Sequence, residues 1–157
     1  PRKPWDRIID TRMWIGVIEV GLVMALASLF TIDWLLPGGM IPGDASLVEA
    51  RTGGFTVLVL AQLFNALSAR SESTSAFRRL FANRWLWGAI VLAVVLQVAV
   101  VHSPPLNKAF GTSALTFGQW GFCLVVASSL FWFIELRKLL LRLKSQKRAK
   151  TYIAKRE

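Results

Sequence analysis

The sequence predicts an all-α integral membrane protein, a bundle of four transmembrane helices with both termini in the cytoplasm. Two observations carry this prediction: apolar residues are gathered into long runs, and basic residues are concentrated at particular ends of those runs. A helix needs about 20 mostly apolar residues to cross the hydrocarbon core of a bilayer. Four stretches meet or nearly meet that length and form one membrane domain of residues 1–157: residues 13–35, 53–69, 85–101 and 118–134.

The first two predicted spans are separated by a loop that contains several prolines and glycines. The span 13–35 carries two acidic residues, Glu19 and Asp33, whereas the span 53–69 carries no formal charge. Pro37 and the glycines after it mark the end of the first span, because these residues favour turns over a continued helix. The pattern therefore predicts two helices that cross the membrane in opposite directions.

The third and fourth predicted spans, residues 85–101 and 118–134, also carry no formal charge. Pro104 and Pro105 mark the end of the third span. Beyond the fourth span, leucines continue at helical spacing while basic residues fill the other positions, as far as Lys150. Residues 135–157 are therefore predicted to form a basic, partly helical cytoplasmic tail.

The orientation follows from the 19 lysines and arginines. All of them except Arg51 and Lys108 lie before the first span, between the second and third spans, or after the fourth. Basic segments are retained in the cytoplasm during insertion, so these three segments are predicted to be cytoplasmic. The net charge of +10 could also indicate a nucleic-acid partner. Its clustering at the span ends favours membrane topology instead, and no nucleic-acid partner is expected.

The sequence contains no signature of catalysis or of a bound cofactor. It has no glycine-rich phosphate loop, no nucleophile elbow and no paired cysteines, and its one cysteine and one histidine are Cys123 and His102. We therefore predict no catalytic residue, no cofactor and no multi-histidine metal site in this chain. Polar groups inside the membrane remain the candidates for function, because they are costly there.

The second span has the most polar helical face. Five small or polar residues fall within an arc of about 120° when the sequence is placed on a helix: Gln62, Asn65, Ser68, Ala69 and Glu72. Such a face is expected to pack inward. Gln62 could then be a ligand in a cation path that Asn65 helps to line. The alternative is that these side chains only join neighbouring helices through hydrogen bonds.

Glu19 is the acidic residue that lies well inside the first span, about 9 Å from its start. One interpretation makes its carboxylate part of a proton path or a cation site. The other interpretation, which we favour, is that Glu19 extends toward the membrane interface, pairs with a cytoplasm-facing base such as Arg12, or is protonated. Gly16 and Gly21 are expected to let a neighbouring helix approach this span.

Several short segments occur together in an order and spacing that resemble one family. They are Pro1–Pro4, Asp33–Gly39, Ala50–Thr56, Gln62–Leu67, Ala69–Glu72, Pro105–Leu106, Leu115–Trp120 and Glu135–Lys138. In these segments the chain resembles the C-terminal membrane part of P-type cation-transporting ATPases, in particular the calcium pumps and their bacterial relatives. The resemblance covers nearly the whole chain.

The resemblance implies that the four spans are helices seven to ten of a ten-helix pump that uses ATP and Mg²⁺ to move a cation, with Ca²⁺ as the leading expectation. The catalytic domains and the main cation-binding helices lie upstream in that family. By itself, this chain is therefore expected to act as a supporting bundle without enzyme activity. The start at Pro1, without an initiator Met, leads us to expect a piece of a longer protein.

The resemblance also bears on Gln62. In calcium pumps of the sarcoplasmic-reticulum type, a glutamate on the eighth helix binds one of two calcium ions, and Gln62 is the matching position here. Plasma-membrane calcium pumps have a glutamine there and carry one ion. An amide oxygen can bind calcium but brings no charge. The resemblance therefore implies a pump that carries a single ion.

Several alternatives remain open at this stage. The basic tail could bind anionic lipid, which we favour, or dock on the cytoplasmic domains of the pump, or serve as a calmodulin-like target. The chain could also be a stand-alone four-helix scaffold or accessory subunit without transport activity. A small autonomous exporter is disfavoured, because it would need a carboxylate deep in the membrane to couple transport to proton entry, and Glu19 is the one candidate. The expected location is the plasma membrane of a bacterium.

Overall fold

The computed structural model describes residues 11–41, 43–69 and 84–154. Within them are five helices and no strand: α1 (Thr11–Leu35), α2 (Leu47–Ala69), α3 (Arg84–His102), α4 (Pro104–Phe110) and α5 (Phe117–Ala154). Four of these are long and apolar enough to cross a membrane, over Trp14–Leu35, Leu47–Ser68, Arg84–His102 and Phe117–Leu140. The predicted all-α chain with four spans is therefore confirmed. The cytoplasmic location of the termini stays a prediction.

Some of the sequence features lie outside the described residues. These are the segment Pro1–Pro4, the predicted cytoplasmic loop between α2 and α3 up to residue 83, Glu72 within that loop, and the last three residues of the tail. Two names are used for the ends of the bundle. The basic end contains Glu19, Ser68 and residues 135–138. The loop end contains residues 36–41 and 43–46, α4 and residues 111–116.

Helix α2 begins at Leu47, earlier than the predicted start at residue 53. A capping box fixes this start: the Ser46 backbone N–H donates to Glu49 Oε2 at 2.7 Å, and the Glu49 N–H donates to Ser46 Oγ at 3.3 Å. This reciprocal pair satisfies N–H groups that the first turn of a helix leaves without partners. The prediction began too late because it excluded the charged Glu49 and Arg51 from the helix.

A second capping box starts α5. The Thr116 N–H donates to Gln119 Oε1 at 2.8 Å, and the Gln119 N–H donates to Thr116 Oγ1 at 3.3 Å. From this start α5 continues without interruption to Ala154, far beyond the predicted span end at residue 134. The predicted helical character of the tail is therefore present as a continuation of the membrane helix.

Helices α1 and α2 are in close contact at Gly53 and Gly54, both of which are buried. A Cβ atom on Gly54 would lie 2.6 Å from Ile32 Cγ1, and one on Gly53 would lie 2.6 Å from Leu35 Cδ1. The approach lets Ser28 Oγ donate a hydrogen bond to the Gly54 carbonyl oxygen at 3.0 Å. Small residues permit such close backbone contact between membrane helices.

Close packing between helices was expected at Gly16 and Gly21, but it does not occur there. A Cβ on Gly21 would have no heavy atom within 4 Å, and the three atoms nearest to one on Gly16 belong to the flexible guanidinium of Arg137. Each of the four predicted spans contains glycine. Which glycine meets a neighbouring helix depends on how the helices are arranged, so glycine content alone could not identify the contact.

The apolar core lies along α2, which packs between α1 and α5. Val57 and Ala61 of α2 are fully buried, as are Ala127 and Leu130 of α5. All four belong to one cluster, against which half-buried residues of α1 also pack. Cys123 of α5 lies in the same cluster, with its Sγ 3.6 Å from the Gly53 carbonyl oxygen, so it acts as a small packing residue.

Helix α3 attaches to the bundle through its C-terminal half. Its buried residues are Gln97 and Val101, and Gln97 Nε2 donates to Thr56 Oγ1 of α2 at 3.0 Å. The short α4 then holds the end of α3, because Asn107 Nδ2 donates to the carbonyl oxygens of Val100 and Val101 at 3.1 and 2.9 Å. These are carbonyls that a helix C-terminus leaves without partners.

The α1–α2 contact gives a direct test of the packing. Gly54→Leu should lower the stability of the protein in detergent by about 1–3 kcal/mol, because the new side chain collides with Ile32 and Ser28. Gly21→Leu is the matched control, since nothing lies within 4 Å of that position. Both changes gain the same helix propensity. Thermal unfolding that falls equally in both variants would contradict the assigned contact.

Candidate functional site

One line of residues on α2 stays exposed in the described bundle. It runs at helical spacing through Arg51, Phe55, Leu58, Gln62 and Ala66, and we call it the outer stripe. The opposite side of α2 is buried against α1, α3 and α5. An exposed amide in the middle of a membrane span is unfavourable against lipid, because hydrocarbon offers it no hydrogen-bond partner. The outer stripe is therefore the candidate functional face of α2.

The predicted polar face of this helix is divided in the structure. Gln62 is exposed on the outer stripe, Asn65 is half-buried beside it, and Ser68 is fully buried against α5. Within the described bundle, the expected inward packing is therefore seen for Ser68 and does not extend to Gln62. Gln62 and Ser68 lie about 120° apart around the helix axis, and α5 covers only the Ser68 side.

The described residues contain no cluster of the side chains that most often bind metal ions. Among them, no group of three or more His, Cys, Asp or Glu side chains could hold one. Calcium takes about six to eight oxygen ligands. The amide of Gln62, with Asn65 one turn away, could supply a small part of such a shell. A cation at the outer stripe would need its remaining ligands from other segments.

At the basic end, Lys138 of α5 connects two helices. Its Nζ atom lies 2.8 Å from the Ser68 carbonyl oxygen and 3.0 Å from Glu135 Oε1. The Lys138 and Glu135 side chains are only 13% and 15% exposed. A cation at the C-terminal end of α2 is favourable, because the last carbonyl groups of a helix carry partial negative charge. Lys138 therefore fixes the end of α2 against α5.

Glu19 of α1 also has a partner on α5. Its Oε2 atom lies 2.8 Å from Arg137 Nε, without the aligned geometry of a hydrogen bond. Both side chains are partly exposed, at 40% and 34%. The base beside Glu19 is thus Arg137. The side chain of Arg12, the partner expected from the sequence, lies outside the described residues. The Glu19 carboxylate is not isolated in the span.

Sequence reasoning did not identify Arg137 and Lys138 as structural partners of α1 and α2. The available signal was the segment Glu135–Lys138, where an acid and two bases end an apolar span. The sequence does not show which helices are neighbours, and in the structure α5 lies beside both α1 and α2 at this level. That relationship depends on packing between helices that are distant in the chain.

Comparison with known proteins identifies where such a bundle occurs. Residues 1–140 match the family described as "Cation transporting ATPase, C-terminus". The calcium-transporting ATPase of Bacillus subtilis is 31% identical over 120 residues, which are 76% of this chain and 13% of that protein. Calcium-transporting ATPase 1 of Bacillus cereus is 36% identical over 118 residues, 72% of this chain and 13% of that protein.

A mammalian relative gives the same picture. Mouse calcium-transporting ATPase type 2C member 2 is 31% identical over 140 residues, which are 88% of this chain and 14% of that protein. The chain thus spans about an eighth of the length of these relatives. Its four membrane-spanning helices and its match over residues 1–140 agree with a C-terminal transmembrane region. The chain belongs to the cation transporting ATPase C-terminus family.

Proposed function

We propose that this chain is the C-terminal membrane-support region of an ATP-driven cation pump, and that the cation is calcium. The names of the relatives in Bacillus and in mouse support calcium. The observation that carries the proposal is the outer stripe of α2, which places Gln62 on an exposed face inside a membrane span. Such a face suits contact with further helices of the same pump better than contact with lipid.

In this proposal the outer stripe faces the helices that hold the cation, and Gln62 supplies one oxygen ligand. Asn65 lines the path one turn away. Because an amide brings no charge, the site is weaker than one with a carboxylate at this position. The pump is then expected to carry one calcium ion per cycle.

ATP and Mg²⁺ are bound by segments of the pump outside this chain. The chain accordingly contributes no catalytic residue, and its part in the reaction is mechanical. It holds α2 in place through α1, α3 and α5, so that the outer stripe presents a fixed surface. A stand-alone scaffold or accessory subunit is the competing function, and the experiments below distinguish the two.

We further propose that the termini and the basic end face the cytoplasm of a bacterium, with the protein in the plasma membrane. The support is the distribution of the bases, which leaves only Arg51 and Lys108 on the other side. The basic segment of residues 135–157 then attracts anionic lipid head groups. Each base near such a surface contributes about 1 kcal/mol of attraction.

For Glu19 we propose a structural role. Its contact with Arg137 ties α1 to α5 at the basic end. The carboxylate already has a cationic partner on α5 at 2.8 Å, which accounts for an acid inside the span without a proton path. Glu19 therefore holds the bundle together and takes no part in proton transfer.

The role of Gln62 can be tested in the parent pump by counting bound calcium per phosphorylation site. We expect one ion in the unmodified protein and a second in Gln62→Glu, because the added carboxylate supplies charge. Gln62→Ala should weaken calcium binding about tenfold, or ~1.4 kcal/mol. Leu58→Ala, one turn away on the outer stripe, is the control and should leave affinity unchanged. Two ions bound by the unmodified pump would contradict the proposal.

The role of Glu19 can be tested by exchanging the charges. Arg137→Gln leaves Glu19 without its partner and should lower stability in detergent by about 1 kcal/mol. The double variant Glu19→Arg with Arg137→Glu should recover most of that loss while calcium transport continues. Arg51→Gln is the control, since Arg51 has no ion pair among the described residues. Loss of transport in Glu19→Gln at unchanged stability would support a proton path instead.

The native size of the protein distinguishes the pump from the accessory subunit. An antibody against residues 144–157 should detect a band several times larger than the 17.5 kDa of this chain in source membranes. The larger band should also form a calcium-dependent phosphoenzyme. A band at 17.5 kDa would mean an independent four-helix protein, and the proposed transport role would be wrong.

A further inference from the structure

Two phenylalanines at the loop end are held in exposed positions. Phe117, the first residue of α5, is 97% exposed, and Phe110, the last residue of α4, is 61% exposed. Water contact of this extent is unfavourable for an aromatic ring. Both residues lie immediately beside the ends of membrane spans, since α4 follows the span Arg84–His102 and Phe117 begins the span Phe117–Leu140.

The two rings are on well-fixed backbone. Phe117 follows Thr116, whose capping box with Gln119 fixes the first turn of α5. Phe110 ends α4, which Asn107 ties to the carbonyl oxygens at the end of α3. Gly111 then turns the chain with a φ of 64°, and its N–H bonds to the Asn107 carbonyl oxygen. The exposure of Phe110 and Phe117 is thus imposed by local structure.

The exposed position of Phe117 continues the exposed face of α5. Leu124 and Trp132 lie on the same side of that helix at helical spacing and are 51% and 64% exposed. In a membrane-spanning helix that side meets lipid. At the loop end, the exposed Lys108 lies two residues before Phe110. Aromatic rings beside a basic side chain are typical of the boundary between acyl chains and phosphate groups.

We propose that Phe110 and Phe117 anchor the loop end in a phospholipid leaflet, with both rings below the phosphate level and α4 lying in the head-group layer. The bound partner is the boundary region of the lipid leaflet itself. This inference depends on membrane insertion and does not depend on calcium transport. Its effect is to fix the depth of the connection between α3 and α5.

The test is site-directed spin labelling of the protein at its native length, reconstituted in phosphatidylcholine vesicles. Labels are placed by Phe110→Cys and Phe117→Cys in a background without other reactive cysteines, which within this chain requires Cys123→Ala. Collisions with oxygen, which concentrates in hydrocarbon, are compared with collisions with a water-soluble nickel chelate. Leu124→Cys provides the hydrocarbon reference and Asp44→Cys, at an exposed loop residue, the water reference.

Labels at both phenylalanine positions should favour oxygen over the nickel chelate severalfold relative to the Asp44 label, and should lie shallower than the Leu124 label. Accessibility to nickel equal to that of the Asp44 label would place the rings in water and overturn the proposal. Low accessibility to both agents would show that protein covers them, which also overturns it. Because both side chains are exposed, labelling does not disturb the packed core, and unchanged thermal unfolding verifies this.

Discussion

The contact between α1 and α2 at Gly53 and Gly54 sets the arrangement of the other helices. In a bilayer, apolar side chains gain little by leaving lipid for a neighbouring helix, so close packing and hydrogen bonds decide which helices associate. The two glycines bring the backbones near enough for Ser28 to donate to the Gly54 carbonyl oxygen. With one side of α2 occupied in this way, α5 and α3 take its remaining buried sides. One line of α2 is left, and that line contains Gln62.

Polar contacts join α2 to neighbouring helices at several levels. Thr56 accepts from Gln97 of α3, and the Ser68 carbonyl oxygen accepts from Lys138 of α5. Interhelical hydrogen bonds in membranes contribute around 0.6 kcal/mol each on average. Their main value here is geometric, since together they fix the rotation of α2 about its own axis. The proposed role of Gln62 depends on that rotation, because a small turn of the helix would point its side chain in another direction.

The sequence predicted the fold class well because the signal is physical and local. Apolar length identifies a span whatever its neighbours are, and the capping boxes at Ser46–Glu49 and Thr116–Gln119 could have placed two helix starts correctly. The candidate site was predicted only in part. Gln62 was found from its polarity, but its exposed position depends on which side of α2 meets α5. The pairing of Glu19 with Arg137 depends on contact between helices more than a hundred residues apart in the chain.

Helix α5 is uninterrupted and extends well beyond the end of its membrane span. Its 38 residues extend about 57 Å, and the 14 residues after Leu140 reach about 21 Å past the end of the span. Sharp bends in helices arise mainly at proline or glycine, and neither residue type occurs between Glu135 and Ala154. If the helix tilts as a rigid rod by ~10° within the bilayer, its far end moves sideways by ~4 Å relative to Leu140. Small adjustments among the membrane helices are thereby converted into displacements of several ångströms outside the membrane.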